Sequence, residues 1–180
     1  MQNFEIRRPR HEDKEAINDF FSLVISDTYA KEGLEDRLKD IQDEIETKKK
    51  FLYSDLSEEP CRRHFLIAHD GDKVIGTIEY GAPNEIIRNL PGDPFKDMVE
   101  VGSVFVHPLS QGQGIGSKLL QAMFMTLKEH GIDEFCLDSG YTKAKQIWRK
   151  KFGGPAFVLK DYWGQGFDHF VWHIRISELI

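Results

Sequence analysis

Hydrophobic residues in the first fifty positions recur with two different periods, which predict one strand followed by two helices. Residues 4–8 are typical of a short strand, and the apolar positions after them recur every three or four residues, as on one face of a helix. Asp13 can cap the first helix, and a second helix is expected over residues 32–50. The two apolar stripes consist of Ile17, Phe20, Phe21 and Val24, and of Leu34, Leu38, Ile41 and Ile45. Each stripe should face the core.

The middle of the chain is rich in β-branched and aromatic residues, which indicate strands. Residues 64–69 and 73–80 flank the sequence Asp70-Gly71-Asp72, and because Asp-Gly favours the positive φ angles of a tight turn, they predict a hairpin. Gly76 in the second arm suggests a bulge. Residues 81–97 hold three of the seven prolines and keep no period, so we expect a loop. That loop either covers a substrate site or is a surface insertion without a role.

The second half of the chain alternates between strand and helix patterns. The predicted strands cover residues 99–106, 134–138, 157–161 and 169–176, and the predicted helices cover residues 114–130 and 142–152. Pro108 breaks the first of these strands, and Gly131 is placed to end the first of these helices. Strands and helices in this mixture predict an α/β fold.

Length and composition predict a single domain over residues 1–180. At this size roughly 70% of the unfolded surface can be buried, so a core can form without disulfides. Hydrophobic residues make up 40% of the chain and charged residues 30%, and no apolar run reaches the ~20 residues of a membrane helix. The first residues lack a basic segment followed by an apolar one, so we expect a cytoplasmic protein without a membrane partner.

Charge and cysteine usage exclude further classes. The formal net charge of −6 opposes the attraction to phosphate on which nucleic-acid binding depends. Cys61 and Cys136 belong to no spaced Cys or His pair, so we expect two reduced thiols and neither a disulfide nor a metal site.

The most specific chemical signal is the glycine-rich turn that follows the strand over residues 99–106. Gly112, Gly114 and Gly116 stand where a strand changes into a helix, and glycines let the backbone approach a ligand closely. The unpaired N–H groups of a starting helix converge at the same point with the positive end of its dipole. The segment over residues 111–117 therefore predicts a backbone site for an anion, called the anion cradle below, and phosphate is the expected ligand.

The spacing of these glycines separates the turn from other phosphate-binding loops. A Walker loop needs Gly-Lys-Ser/Thr after a fixed interval, and Ile115 to Ser117 stand there instead. A Rossmann fingerprint needs a different last interval and lies near the start of its fold. A turn without any ligand would not require three glycines, because each glycine costs backbone entropy on folding.

The sequence motif of the turn resembles the acetyl-coenzyme A signature of the GNAT superfamily of N-acetyltransferases. Gln111-x-x-Gly114-x-Gly116 follows Val104-x-Val106-x-Pro108, as in that family. The resemblance extends over nearly the whole chain, through the first strand and two helices, the hairpin and a later Ala-x-x-aromatic helix. It implies a mixed, mostly antiparallel sheet of about seven strands, splayed between strands four and five and flanked by about four helices.

The resemblance also implies how acetyl-CoA is bound. Main-chain groups of Val104 and Val106 would pair with the pantetheine amides. Backbone N–H groups of the loop would hold the pyrophosphate, and the residues concerned are Gln111, Gly112, Gly114, Gly116 and Ser117. No metal is implied.

Acetyl transfer to an amine needs a base, since a free alkylamine is mostly protonated at neutral pH. Glu100 is the first candidate, because it resembles in position the general base of histone-type members of the superfamily, and a carboxylate on a partly buried strand can gain basicity by desolvation. A solvent-wet strand end is the alternative. Glu79 is the second candidate and His107 the third. The N–H group of Val106 would stabilise the oxyanion, as the resemblance implies.

The sequence departs from the family at the group that protonates the leaving sulfur. Many members carry a tyrosine there, and the matching position here is Trp148, whose indole does not titrate but can orient or line the pocket. Tyr141 lies about two helical turns, or roughly 10 Å, away along the helix. Coenzyme A can leave as a thiolate, since thiol pKa values lie near ~8.5, so catalysis is not excluded. An acyl-cysteine at Cys136 would need an adjacent base, and a buried, unreactive thiol is expected instead.

The aromatic residues of the segment 161–169 either line the acceptor pocket or pack against the core. The sequence thus predicts an acetyl-CoA-dependent N-acyltransferase that acetylates a primary amine of a small molecule or protein by direct attack in a ternary complex. The acceptor pocket would include Glu79, Tyr141 and Trp148. The alternative is a catalytically weak acyl-CoA-binding sensor or interaction module of the same fold. Homodimer formation is left open.

Overall fold

The described residues, 4–57 and 62–179 of a computed structural model, form a seven-stranded mixed sheet. Its strands are β1 Glu5–Arg7, β2 Arg63–Asp70, β3 Lys73–Gly81, β4 Val99–Val106, β5 Glu134–Ser139, β6 Phe157–Leu159 and β7 His169–Arg175, in the order β1-β2-β3-β4-β5-β7-β6. The pairs β1–β2, β5–β7 and β6–β7 are antiparallel, and β4–β5 is parallel. The predicted mixed sheet of seven strands is confirmed.

Five α-helices accompany this sheet in the described part of the chain. They are α1 Lys14–Lys31, α2 Leu38–Ser57, α3 Glu85–Arg88, α4 Ile115–Glu129 and α5 Thr142–Phe152. Four of them are long, as expected, and α3 is a short helix inside the segment predicted to be a loop. No helix among the described residues is long and apolar enough to span a membrane.

The chain divides into two compact units. The first comprises Met1–Tyr80 and Ser103–Thr126, and the second comprises Gly81–Gly102 and Leu127–Ile180, so β4 contributes to both. The core of the first unit consists of Ile17, Phe20, Phe21, Val24, Ile25, Ile45, Leu52, Phe65, Ile67 and Val74. That of the second includes Ile87, Leu90, Phe95, Cys136 and Val171. A single domain over the whole chain stays a prediction.

The second helix begins later than the sequence predicts. Gly33 has a φ of 71°, and the N–H of Leu34 donates to the carbonyl of Tyr29, so the chain leaves α1 in a left-handed C-terminal turn. Leu34 therefore lies between the helices, and Leu38 is 72% exposed at the first position of α2. The predicted stripe is wrong at these two residues. It is confirmed at Ile45, which α2 buries together with Leu52.

Asp13 does not cap α1 with its side chain, contrary to the prediction. Its carboxylate accepts two hydrogen bonds from the Arg7 guanidinium, at 2.7 and 2.9 Å, and a third from the N–H of Arg10 at 2.7 Å. The bond from Arg7 lowers the pKa of Asp13 below its ordinary value. This carboxylate therefore fastens the end of β1 to the turn before α1.

Gly76 has a packing role in β3, which runs unbroken from Lys73 to Gly81. A Cβ built there would lie 2.8 Å from Leu119 Cδ1 and 3.2 Å from the carbonyl oxygen of Phe105. A larger residue would require the Leu119 side chain of α4 to shift. The tight hairpin turn is confirmed, since Gly71 has a φ of 56°.

Cys136 is fully buried in β5, where burial raises the pKa of its thiol. The carboxylates of Glu100 and Asp138 add to this shift. A thiol held in its neutral form is a poor nucleophile, which argues against an acyl-cysteine. Cys61 lies outside the described residues.

Candidate functional site

The glycine-rich segment forms a tight connection from β4 to α4. Pro108–Ser110 make one 3-10 turn, whose first N–H, that of Leu109, donates to Nδ1 of His107 at 3.2 Å. Gly112 and Gly114 follow with φ values of 78° and 81°, a region that favours glycine. The local glycines thus allow the chain to reverse and enter α4 at Ile115.

Five consecutive N–H groups in this segment, those of residues 112–116, donate to no acceptor among the described residues. At the start of α4 the N–H of Lys118 donates to the carbonyl of Gly114, at 3.1 Å. A Cβ on Gly112 or Gly114 would have no neighbouring atom within 4 Å, so the backbone is open on that side. An anion can approach these donors directly, at the positive end of the helix dipole.

The second half of β4 presents alternate backbone groups to its two edges. The N–H of His107 donates to the carbonyl of Ile75 in β3, at 2.9 Å. Because backbone groups alternate along a strand, those of Val104 and Val106 are directed away from β3. The carbonyl of Val106 accepts a 3.2 Å hydrogen bond from Nε2 of Gln111, whose Oε1 accepts one from Lys31 at 3.5 Å.

Glu79 lies on β3 in the first unit and is only 1% exposed. Its carboxylate pairs with the Arg63 guanidinium, with N···O distances of 3.2 and 3.3 Å, and accepts a hydrogen bond from Ser103 Oγ. Arg63 in turn lies 3.6 Å above the ring centre of Phe51. These contacts give Glu79 a structural ion pair, which weakens its candidacy as a general base.

Glu100 lies on β4 in the second unit and is 9% exposed, so it is not at a solvent-wet strand end. Asn84 holds both carboxylate oxygens: its N–H donates to Oε2 at 2.6 Å and its Nδ2 donates to Oε1 at 3.0 Å. Sequence reasoning missed Asn84. The available signal was its place after Pro83, where its Oδ1 accepts from the N–H of Ile87 and caps α3.

Three further side chains continue this hydrogen-bonded group. Asn84 Nδ2 also donates to Asp138 Oδ2 at 2.8 Å, and the same oxygen lies 2.8 Å from His169 Nε2. The indole N–H of Trp163 donates to His169 Nδ1 at 3.0 Å. Sequence reasoning offered the segment 161–169, which contains Trp163 and His169, as possible lining of the acceptor pocket, and it missed Asp138.

The two aromatic candidates near α5 differ in their surroundings. Trp148 is buried and stacks on Phe152, with 5.8 Å between ring centres, so it has a packing role. Tyr141 is half-buried and precedes α5, where its N–H donates to Ser139 Oγ.

The aromatic segment after β6 remains at the surface. Tyr162, Trp163 and Phe167 are 48%, 55% and 56% exposed, which argues against their packing in the core. The described residues contain no group of three or more side chains suited to a metal ion.

A comparison with protein-family models matched residues 27–154 to the acetyltransferase (GNAT) family. A search of the curated proteins gave no significant match.

Solved structures with the same fold are distant in sequence. PaiA N-acetyltransferase from Thermoplasma acidophilum, solved in complex with coenzyme A, is 21% identical with a TM-score of 0.68, over 96% of this chain and 99% of that one. An N-acetyltransferase from Staphylococcus aureus Mu50 is 18% identical with a TM-score of 0.66, over 97% and 99%. YncA from Salmonella typhimurium, solved with its cofactor acetyl-CoA, is 18% identical with a TM-score of 0.62, over 97% and 94%. At these sequence identities, the similarity to the three structures shows a shared fold and nothing more.

Proposed function

The chain belongs to the acetyltransferase (GNAT) family, and from that premise we propose that it transfers the acetyl group of acetyl-CoA to a primary amine of a small molecule or protein. Attack is direct, within a ternary complex. The proposed cosubstrate agrees with the two similar structures that contain coenzyme A or acetyl-CoA.

The observation that carries this proposal is the row of N–H groups over residues 112–116, which have no acceptor in the part of the chain that the structure describes. Gly112, Gln113 and Gly114 are exposed at the surface, so an external acceptor can reach this row of donors. A diphosphate offers several oxygens in a row, and its negative charge suits a helix N-terminus. In this proposal Gln111, Gly112, Gly114, Gly116 and Ser117 hold the diphosphate.

The rest of the cosubstrate would lie along β4. Val104 and Val106 direct backbone groups away from β3, and a pantetheine arm can pair with them as an added strand does. In this structure Gln111 Nε2 donates a 3.2 Å hydrogen bond to the carbonyl oxygen of Val106. When the pantetheine arm binds, the Gln111 side chain would move away or donate to that oxygen together with the arm.

Glu100 is the proposed general base. Its carboxylate takes a proton from the acceptor ammonium, and the freed nitrogen lone pair attacks the acetyl carbonyl carbon to form the C–N bond. The N–H of Val106 donates to the oxyanion that develops. The C–S bond then breaks with its electron pair on sulfur, the new amide nitrogen gives its second proton to solvent, and the thiolate collects a proton from water. Trp148 does not serve as the acid, because an indole N–H does not titrate in water.

The alternative function is a catalytically weak sensor that binds acyl-CoA and transfers nothing. The position of Trp148 motivates it, since the tyrosine common in the family is absent. Three further points also remain predictions: the chain acts as one domain, it is cytoplasmic, and it can form a homodimer.

A thiol-release assay with acetyl-CoA and a panel of amines, combined with calorimetry of coenzyme A binding, tests the proposal. We expect saturable binding and release of coenzyme A that depends on an amine. Binding without turnover on any amine would favour the sensor. An absence of binding would overturn both readings, because both depend on the loop.

A further inference from the structure

A continuous line of hydrogen bonds in the second unit joins the buried carboxylate of Glu100 to an exposed indole. It runs from Glu100 through Asn84, Asp138 and His169 to Trp163, with donor–acceptor distances between 2.6 and 3.0 Å. Glu100 and His169 are buried, and only 12% of the Asp138 side chain is exposed. The catalytic scheme above uses only the first of these residues.

Donor and acceptor chemistry fixes the state of each member. An indole N–H can only donate, so Nδ1 of His169 must accept and carries no proton. The imidazole is therefore neutral, with its proton on Nε2, which donates to Asp138 Oδ2. The Asn84 amide is equally fixed, since its Oδ1 accepts from the N–H of Ile87 and both contacts of its Nδ2 are carboxylate oxygens.

One amide group thus joins two carboxylates. Asn84 Nδ2 donates one hydrogen bond to Glu100 and the other to Asp138. A rotation of the Asp138 carboxylate would therefore also displace the Asn84 amide, which orients Glu100. His169 limits this rotation because it donates to the same oxygen of Asp138.

Trp163 is itself held in place by a rigid turn. The N–H of Trp163 donates to the carbonyl of Phe167, and the N–H of Gly166 donates to Asp161 Oδ1. Behind the indole, a Cβ added to Gly140 would lie 2.9 Å from Trp163 Cδ1 and 3.2 Å from His169 Nδ1. The absence of a side chain at residue 140 is therefore what lets the indole reach His169.

We propose that Asp138, His169 and Trp163 are positioning residues for Glu100: Trp163 selects the tautomer of His169, and the line holds the carboxylate in the orientation that accepts the acceptor's proton. This inference rests on the proposed function. A misplacement of about 1 Å in a reacting group can cost on the order of 100-fold in rate, so loss of the line should lower turnover without removing the base.

The experiment compares Trp163→Phe with Tyr53→Phe in the full chain. Trp163→Phe removes the indole donor, whereas Tyr53→Phe changes an exposed aromatic residue of α2, in the first unit, and leaves the line intact. We expect Trp163→Phe to lower kcat roughly 10-fold to 100-fold with the KM for acetyl-CoA unchanged, and Tyr53→Phe to retain the wild-type kcat. Gly140→Ala should resemble Trp163→Phe, and Gly154→Ala, an open glycine, should not.

A double-mutant cycle separates positioning from general damage. If Asp138 acts through Glu100, Asp138→Asn should lower kcat in the wild type and have no further effect in Glu100→Gln. Additive losses would overturn the proposal. If Asp138→Asn fails to fold, the same cycle is run with Trp163→Phe.

An NMR measurement gives a readout that does not depend on turnover. Proton–nitrogen correlation spectra of the imidazoles should show His169 with its proton on Nε2 in the wild type and a mixture of tautomers in Trp163→Phe. An Nδ1-protonated or charged His169 in the wild type would overturn the proposal. Wild-type turnover that Glu100→Gln abolishes and Trp163→Phe leaves intact would remove the positioning role alone, whereas a lack of turnover on any amine would remove the proposed function itself.

Discussion

Two buried glutamates on neighbouring strands show how the immediate partners of a residue decide its chemistry. Glu79 pairs with the Arg63 guanidinium, whose positive charge balances the negative charge of the carboxylate. Glu100 accepts hydrogen bonds from the N–H groups of Asn84, which orient both of its oxygens. A general base must hold a defined orientation and remain able to accept a proton, so Glu100 fits the role better.

Replacement of this residue is the first test at this scale. Glu100→Gln should lower kcat by about 10²–10⁴-fold near neutral pH, the usual contribution of a general base. The loss should shrink as the pH approaches the acceptor's own pKa, near ~10 for an alkylamine, because the free amine then forms without help. Rates from pH 6 to 10, with coenzyme A affinity measured alongside, check this. A wild-type pH–rate profile in the variant would remove Glu100 from the mechanism.

Asp13 gives a second prediction, which concerns stability and pH. Its pKa is lowered in the folded protein by Arg7, so its charged form stabilises the fold above its ordinary pKa of 3.8, and this contribution is lost as the pH falls through the lower folded value. Asp13→Asn should therefore unfold at lower urea than the wild type at pH 7, and the two curves should converge below pH 3.8. Glu12→Gln is the control, since that side chain is exposed. If the difference in unfolding midpoint between the wild type and Asp13→Asn persists below that pH, the loss of stability is due to packing and not to the charge of Asp13.

At the scale of elements, the connection from β4 to α4 holds the features proposed for coenzyme A binding within a few consecutive residues. The turn needs left-handed backbone at two positions, and the helix start supplies the donors. Substitution of one glycine there tests the binding role, provided that backbone strain is controlled.

Gly114→Glu and Gly131→Glu form a matched pair. Both glycines have positive φ values, 81° and 73°, and both have open space around a Cβ, so the backbone strain and the added charge are the same. A left-handed residue other than glycine costs roughly 1–2 kcal/mol in either place. Only Gly114→Glu should abolish coenzyme A binding by calorimetry. Equal affinities in the two variants would refute the anion cradle.

Elements with local boundary signals could be predicted from the sequence. Pro108 marks the end of β4 and Gly153 the end of α5, and both elements have the predicted bounds. The start of α2 was wrong because Leu34 continues an apolar period that the left-handed turn at Gly33 interrupts.

The same distinction applies to the site. The glycine turn is local, so the sequence of residues 108–116 suffices to predict its backbone, and the anion cradle proposed there stays a prediction. The line from Glu100 to Trp163 is not local, since Asn84 and Asp138 are 54 positions apart and Asp138 and His169 are 31 apart. These side chains meet because β5 lies between β4 and β7, a strand order that no local pattern encodes.

For the molecule as a whole, β4 is the feature that bears on the number of domains. Val99 and Glu100 pair with β5 inside the second unit, and the later part of the strand belongs to the first unit with the glycine loop. A unit that unfolded alone would have to break a continuous strand in its middle. We therefore expect both units to unfold together, and the prediction of one domain has the same consequence.

Calorimetry with and without coenzyme A tests this at the scale of the whole chain. We expect one transition whose calorimetric and van't Hoff enthalpies agree. Coenzyme A at 100 times its Kd contributes about 2.7 kcal/mol. Since 1 kcal/mol shifts Tm by roughly 2–4 °C at this size, the whole transition should move up by about 5–11 °C. Gly114→Glu should show no such shift and Gly131→Glu the full one. Two transitions, of which coenzyme A moves only one, would instead identify two domains with the loop in the one that moves.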